Sequence, residues 1–516
     1  MANTGDEDIM SIRKDKYRDE KDGKVRLERQ VSLLGGISII VGSMIGSGIF
    51  ASPTGILRVT QSVGMSLIVW VVCGILSLFG ALCYAELGTM IPKSGGEYPY
   101  LFDTYGPPVG FLYAWVSTIL RGPSSISIIA ITFAEYAVQP LYPEEECVAP
   151  TFVLKAVACV GVMFLILVNC VSVKGATNVQ VFFTAAKLLA LAIIIVTGFV
   201  KLGQGNNEYL DPRKSFKGSS SNIFAYGIAF YQGFWAYDGW NLLNYVTEEL
   251  VNPYRNLPLG IFIGTSLVTI VYLLTNIAYF AVLSPTQMLS TSAVAVAFAN
   301  RTLVPMAWII PLLVCCSAIG AANGTLFGAA RLINVAGREG HTLQVLSMVH
   351  ITYKTPQPAI IFTGALAIAM VIPNDFDTLV NYFSFSSWIF YGLTVLAVII
   401  LRLRFPEWKR PIKIPLVLPI TFTIISVYLV IAPMIAYPEF GYLYASIFIL
   451  AGLLLYYPLV HKEYSPKIID HVTIFFQQLL QVTSSYYVSP EEDEQDMQEL
   501  TVFSKVPSTL SRRAEG

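Results

Sequence analysis

The sequence is 516 residues long, 54% hydrophobic, 13% aromatic and only 13% charged, with a net charge of −1. An ordinary soluble domain carries roughly 25% charged residues, so a soluble globular protein is excluded. Near-neutral charge without a basic stripe gives no footing for nucleic acid.

Residues 1–30 are polar and charged, so no cleavable signal peptide is expected and the first apolar span must do the targeting. Crossing about 30 Å of hydrocarbon takes roughly 20 helical residues. Twelve apolar runs of that kind are predicted, at 31–59, 65–90, 106–138, 152–172, 179–201, 222–247, 258–283, 305–333, 358–374, 378–402, 413–436 and 440–461. Backbone groups in lipid must bond within their own segment, so the runs are read as helices and the chain as an all-α membrane protein. The expected organisation is a tail (1–30), a twelve-helix domain (31–461) and a second tail (462–516).

Positive residues stay on the cytoplasmic side of short loops. Lys14, Lys16, Arg18, Lys21, Lys24, Arg26 and Arg29 precede the first span. Arg338 and Lys354 follow the eighth, and Arg402, Arg404, Lys409, Arg410 and Lys413 follow the tenth. Both termini are therefore expected in the cytoplasm, and the acidic loop Pro143-Glu144-Glu145-Glu146-Cys147 outside. Arg213, Lys214 and Lys217, after the fifth span, run against this trend. Beyond the last span, apolar residues at helical spacing from Ile468 to Val482 predict an amphipathic helix at the inner surface, followed by an acidic, disordered tail, Glu491-Glu492-Asp493-Glu494.

Two spans carry interruptions. Span one contains Gly42-Ser43-Met44-Ile45-Gly46-Ser47-Gly48, and span six contains Gly233-Phe234-Trp235-Ala236-Tyr237-Asp238-Gly239. Each glycine costs about 1 kcal/mol of helix stability relative to alanine, so unwound stretches are expected. Glycines also let membrane helices pack closely, which is the bland alternative. The pairing favours function: the two spans lie five apart, where inverted five-helix repeats would place equivalent elements, and paired interrupted helices mark transporter binding sites. Amides at the start of a half-helix suit a carboxylate, and freed carbonyls suit an ammonium, which together make the head of an amino acid.

Asp238 is a carboxylate in a span, at a cost of about 2.5 to 3.5 kcal/mol on insertion scales. It would meet a cationic substrate side chain or cap the restarted half-helix. Trp235, three residues earlier, would stack on that cation or close the site, or else serve as packing. Lys187 in span five is either a fixed ammonium where a sodium-coupled relative would hold its ion, or a lysine snorkelling to the interface. Asn323-Gly324 and Asn381-Tyr382 would line a cavity or join helices. Asn300-Arg301-Thr302 is a formal glycosylation sequon.

With these motifs in view, the chain resembles the light subunits of heteromeric amino-acid transporters, within the amino acid, polyamine and organocation superfamily. The resemblance is carried by Gly46-Ser47-Gly48-Ile49-Phe50, Ala85-Glu86-Leu87-Gly88, Lys93-Ser94-Gly95-Gly96-Glu97-Tyr98-Pro99-Tyr100, Phe183 to Leu188, Asn244-Tyr245-Val246-Thr247-Glu248-Glu249, Gly337-Arg338-Glu339-Gly340-His341 and Asn381-Tyr382-Phe383-Ser384-Phe385. It runs from Leu33 to Asp493.

What it implies is a LeuT-type fold with broken helices one and six, in which repeat one (31–201) and repeat two (222–402) are inverted copies and 413–461 is peripheral. It also implies a sodium-independent antiporter at the plasma membrane, apical in epithelium, disulfide-linked through Cys147 to a single-span type II glycoprotein heavy chain. A lone outside cysteine in an oxidising compartment fits intermolecular pairing.

The run Trp235-Ala236-Tyr237-Asp238-Gly239-Trp240-Asn241 looks most like the broad-specificity members that exchange cystine and dibasic amino acids for neutral ones. By that resemblance Ser43, Ile45, Gly46, Ser47 and Gly48 hold the carboxylate, Trp235 gates, Asp238 reads cationic side chains, and Ala236, Asn241 and Tyr382 line the site. Relatives carry a basic residue immediately before the proline of span three, whereas here Arg121 stands one position earlier, in Arg121-Gly122-Pro123.

The alternative is a large-neutral amino-acid exchanger of the same fold, with Asp238 as a cap only. A channel would need a continuous polar face or a repeated filter loop, and neither occurs. An enzyme would need a nucleophile and base, or a metal cluster. The four histidines, His341, His350, His461 and His471, lie near or beyond span ends, so no cofactor, metal or catalytic residue is expected.

Overall fold

A computed structural model describes residues 31–91, 95–142, 149–171, 173–291, 293–338, 340–353, 355–438, 440–462 and 467–484. The basic cluster Lys14 to Arg29, Lys93, Ser94, Cys147 with its acidic neighbours, Lys354 and the acidic tail lie outside the described residues. Residues Gln30–Thr483 form one compact unit.

The chain opens with α1 (Leu33–Met44) and α2 (Gly48–Thr60), which are bent by 50° at the break between them. The helices α3 (Val63–Met90) and α4 (Glu97–Tyr105) follow, then α5 (Pro107–Val116), a π-helical turn (Ser117–Arg121) and α6 (Gly122–Val138). Next come α7 (Thr151–Val171), α8 (Val173–Gly203), α9 (Tyr226–Tyr237) and a 3₁₀ helix (Leu242–Glu249). The remaining helices are α10 (Pro253–Val282), α11 (Pro285–Leu289), α12 (Val294–Thr302), α13 (Ile309–Arg338), α14 (Gln357–Val371), α15 (Phe376–Arg404), α16 (Val417–Ala436), α17 (Phe440–Tyr456) and α18 (Lys467–Leu480).

Among the described residues, eight helices are long and apolar enough to cross a membrane, and the bent pair α1 and α2 counts as a ninth. Two shorter helices, α14 and α17, are also apolar. Local chemistry sets several boundaries: Ser32, Ser62 and Asp375 each accept a backbone N–H of the helix they open, as good N-cap residues do. Arg402 and Arg404 in the last turn of α15 face the negative end of its dipole.

The interrupted elements sit at the centre. Helix α9 packs along α2, α10 packs on α1, α3 and α8, and α13 packs on α6 and α8. Large side chains are fully buried in the core, among them Trp70, Tyr136, Tyr231, Tyr237 and Tyr272.

The interruption expected in span six falls at the end of the glycine-flanked segment: α9 continues through Gly233, where Cys73 Sγ lies so close that only a glycine fits, and unwinding starts at Asp238. The fold is helical as expected, with one short addition, β1 (Met348–His350) paired with β2 (Val482–Ser484). The amide of Ile351 donates to Gln481 O at 3.1 Å beside this pairing. Just before β2, α18 leaves Ile474, Phe475, Phe476 and Leu479 exposed.

Candidate substrate site

Both interruptions fall where the backbone leaves the helical region. Helix α1 ends where Ile45 turns extended, and α2 restarts at Gly48 with Ser47 providing no side-chain cap. The first amides of α2 therefore have no intrahelical acceptor. Helix α9 ends at Tyr237, and Gly239 follows at φ +100°, a conformation that glycine alone adopts without strain.

The two breaks touch. Ser43 Oγ lies 3.2 Å from Gly239 O and 2.9 Å from Ile40 O. A Cβ on Gly48 would fall on the backbone of Ala236. Tyr272 of α10 links the same two segments: its hydroxyl lies 2.6 Å from Met44 O and 2.9 Å from Ala236 O. A phenol has one proton to give, so the two carbonyls share it, and each keeps a lone pair for another donor. Ser317 of α13 reaches Gly46 O at 3.5 Å.

Lys187 is 1% exposed, and its amine donates to Gly42 O at 2.5 Å. It is bound beneath the break and does not reach for an interface, so the snorkelling alternative is set aside. Gly42 is in the last turn of α1, where a cation complements the dipole.

Asp238 is half-buried and accepts a hydrogen bond from Tyr391 of α15 at 2.8 Å through Oδ1. The same hydroxyl accepts from Arg121 Nη2 at 2.9 Å. The 3₁₀ helix that follows has Asn241 at its N-cap and no side-chain cap bond. Asn241 points instead to Glu97, donating through Nδ2 at 2.5 Å. Trp235 is buried, with its ring edge-on to Phe383 at a centroid distance of 5.0 Å and its indole N–H unpartnered.

Tyr382 lies against Gly441 of α17, and the next residue along α15, Phe383, stands beside Trp235. Successive residues on a helix point about 100° apart, which separates the two rings. Ile45, Gly46 and Ser47 are all buried within the first break. Cys147 lies outside the described residues.

Several residues of this region carry no sequence assignment: Glu97, Tyr113, Tyr245, Tyr272, Ser317 and Tyr391. Glu97 is fully buried and accepts from Tyr84 at 3.3 Å, Tyr113 at 2.9 Å, Asn241 at 2.5 Å and Tyr245. The signal was present, since a carboxylate directly after a Gly-Gly pair, at the mouth of an apolar span, needs partners. Those partners are scattered over 160 residues, and spacing alone does not assemble them. Among the described residues no three His, Cys, Asp or Glu side chains are placed to hold a metal ion.

Two interrupted helices crossing at a central polar site, inside a bundle of apolar helices, define a membrane permease. Residues 31–456 match the amino acid permease family, and the chain belongs to it. It is thus a multi-pass membrane transporter of amino acids and not an enzyme. Among its relatives, the human b(0,+)-type amino acid transporter 1 is 52% identical over 469 residues, 90% of this chain and 94% of that one. The rabbit protein of the same name is 49% identical over 489 residues, 94% of this chain and 98% of that one. The mouse large neutral amino acids transporter small subunit 2 is 43% identical over 484 residues, 93% and 90% of the two chains.

Proposed function

We propose that this chain is a sodium-independent amino-acid exchanger that takes up cationic amino acids and cystine in return for neutral amino acids, by alternating access. The observation that carries the reading is Asp238: a half-buried carboxylate at the second break, beside the uncapped start of α2. The substrate carboxylate would sit on the amides of Gly46, Ser47 and Gly48, with Ser43 and Ile45 closing around it. The free lone pairs of the Met44 and Ala236 carbonyls would take its ammonium. Asp238 would read a cationic side chain beyond, Trp235 would close over it, and Asn241 would border the site. Lys187 holds a fixed charge beneath the first break, which supports independence from sodium.

The two shorter apolar helices, together with α9 and its 3₁₀ continuation, would complete twelve spans. Breaks in the first and sixth support inverted repeats of the LeuT type over 31–201 and 222–402, with 413–461 peripheral. Both termini would be cytoplasmic, with α18 at the inner surface. A relative named as a small subunit supports a role as light chain of a heterodimer at the plasma membrane, apical in epithelium, through Cys147 to a single-span heavy chain.

A second reading, a large-neutral exchanger, is favoured by one contact: Tyr391 already holds Asp238, as it would a structural carboxylate. Labelled arginine uptake into sodium-free vesicles, preloaded with leucine or empty, decides between them. With the chain co-expressed with a heavy chain, preloading should drive arginine entry, and Asp238→Ala should lower arginine uptake about tenfold more than leucine exchange, the size of one charged hydrogen bond. A wild type that exchanges leucine and ignores arginine would leave the neutral reading standing.

A further inference from the structure

Arg121 is the one basic residue on the span that bends around the site at a π-helical turn, and the role proposed above leaves it unused. The turn Ser117–Arg121 is followed by Gly122 and Pro123. Turns of this kind occur often at functional sites. The guanidinium is carried in among aromatic rings, 5.1 Å from the centroid of Tyr391, 5.7 Å from Phe383 and 5.8 Å from Tyr113. Phe383 is also the ring that meets Trp235, so Arg121 and Trp235 approach one aromatic surface from two sides.

Its hydrogen bonds are incomplete. Nη2 donates to Tyr391 OH at 2.9 Å and Nη1 reaches Tyr113 OH at 3.5 Å, while Nε is buried without a partner. In the same turn Ser117 Oγ and Thr118 Oγ1 are buried and unpartnered as well, and so is the nearby indole N–H of Trp235. Leaving such groups dry is costly, most of all for a charged one, so a site that collects them is built for something polar that binds there.

Arg121 and Asp238 do not pair directly. Were neutralisation the purpose, a guanidinium and a carboxylate this close would form the bidentate pair that their geometry favours. Instead Tyr391 stands between them, its hydroxyl donating to Asp238 and accepting from Arg121. The phenol holds two opposite charges one hydroxyl apart and leaves each a free side. A ligand complementary to that arrangement carries an ammonium and a carboxylate close together at its far end.

We propose that Arg121 is a specificity-determining residue. With Asp238 it forms a dipolar subsite for a second amino-acid head, so the substrate preferred over a simple cation is a bis-amino acid of the cystine type. Asp238 takes the distal ammonium and Arg121 the distal carboxylate. The proposal rests on the reading of the breaks given above and deepens it.

The test is competition against labelled leucine exchange by three thioethers of cysteine, using the full chain co-expressed with a heavy chain. S-(2-aminoethyl)cysteine carries only a distal ammonium, S-(2-carboxyethyl)cysteine only a distal carboxylate, and cystathionine carries both on one carbon. Wild type should prefer cystathionine to either single-charge probe by about tenfold or more, the size of one charged hydrogen bond. In Arg121→Gln the advantage over the aminoethyl probe should vanish, and Arg121→Lys should restore part of it.

A wild type that ranks the aminoethyl probe level with cystathionine or above it overturns the proposal, as does a ranking that Arg121→Gln leaves unchanged. Should Arg121→Gln fail to reach the membrane, Arg121→Lys makes the same comparison, with part of the cystathionine advantage expected to be lost and an unchanged ranking overturning the proposal. Because leucine is the tracer, failure of the cationic reading shows separately: none of the ammonium-bearing probes would then compete, while leucine itself still exchanges.

Discussion

At the end of the bundle that the proposed orientation turns outward, Asp377 of α15 accepts from Arg58 of α2 at 2.6 Å and from Gln232 of α9 at 2.9 Å. Both members of that ion pair are open to water, at 57% and 43% exposure. At the opposite end, Glu86 is 1% exposed and is held by Arg402 through two bonds and by the amide of Ile414 at 3.0 Å. Arg410 lies 3.9 Å away. Glu97, buried nearby, has its four donors. Both ends are tied by carboxylates, and the difference is water. An exposed pair contributes about 0 to 1 kcal/mol, whereas stripping one partner from a buried pair costs about 3 to 5 kcal/mol. For an alternating-access transporter this asymmetry means that the outer ties release more easily than the inner ones, and the empty protein should favour opening outward.

The sharpest way to break that comparison is at Glu86. Glu86→Ala strands the Arg402 guanidinium, and the expected loss is about 3 to 5 kcal/mol. In detergent this should appear as a large drop in melting temperature or as loss of folded protein. The double variant Glu86→Leu with Arg402→Leu should be closer to wild type than either single change, because Arg402 goes with its partner and the remaining cation, Arg410, keeps its backbone carbonyl acceptors. A Glu86→Ala protein that melts like wild type would remove the contrast between the two ends.

The next effect is smaller and more specific. Glu97→Gln keeps the shape but turns one acceptor oxygen into a donor NH₂, facing hydroxyls and an amide that are themselves donors. One or two bonds should be lost, about 1 to 3 kcal/mol in all. Because Tyr245 and Asn241 belong to the segment after the second break, leucine exchange should fall together with the melting temperature. A variant that loses stability and keeps its exchange rate would make Glu97 a packing residue and not part of the inner closure.

Glu86 and Glu97 also mark where the sequence stops being legible. Span positions follow from hydropathy because lipid forces every long apolar run into a helix; the run expected at 65–90 is Val63–Met90, and that at 378–402 is Phe376–Arg404. The first break was readable too, since three glycines in seven residues leave few alternatives. The second was located only to within seven residues because glycine is ambiguous: Gly233 lets Cys73 approach a continuous helix, and Gly239 reverses the backbone. Asp238 and Lys187 stood out as charges in apolar spans, which is costly wherever it occurs. Their partners did not, because Tyr391 lies 153 residues from Asp238 and Gly42 lies 145 from Lys187. Tyr382 came from a motif, whereas the ring that meets Trp235 is that of its neighbour Phe383, a distinction that only the helical register makes. Arg121 was visible as a departure from its relatives, but its meaning depends on a π turn that no periodicity announces.

The smallest expected effect lies at the outer tie. Arg58→Gln removes one partner of Asp377 and leaves the Gln232 bond at 2.9 Å, so the melting temperature should move by no more than about 1 kcal/mol allows. The informative readout is salt. An exposed ion pair is screened as ionic strength rises, with the screening length falling from about 30 Å at 0.01 M to about 3 Å at 1 M. If the Arg58–Asp377 pair helps hold the outer end shut, initial leucine uptake by wild type should depend on external salt and uptake by Arg58→Gln should be flatter. Equal salt dependence in the two proteins would take the pair out of the outer closure and leave the asymmetry to rest on Gln232, Trp235 and Phe383. If Arg58→Gln were instead as destabilising as Glu86→Ala, water would not be what distinguishes the two ends, and the preference for opening outward would lose its physical basis.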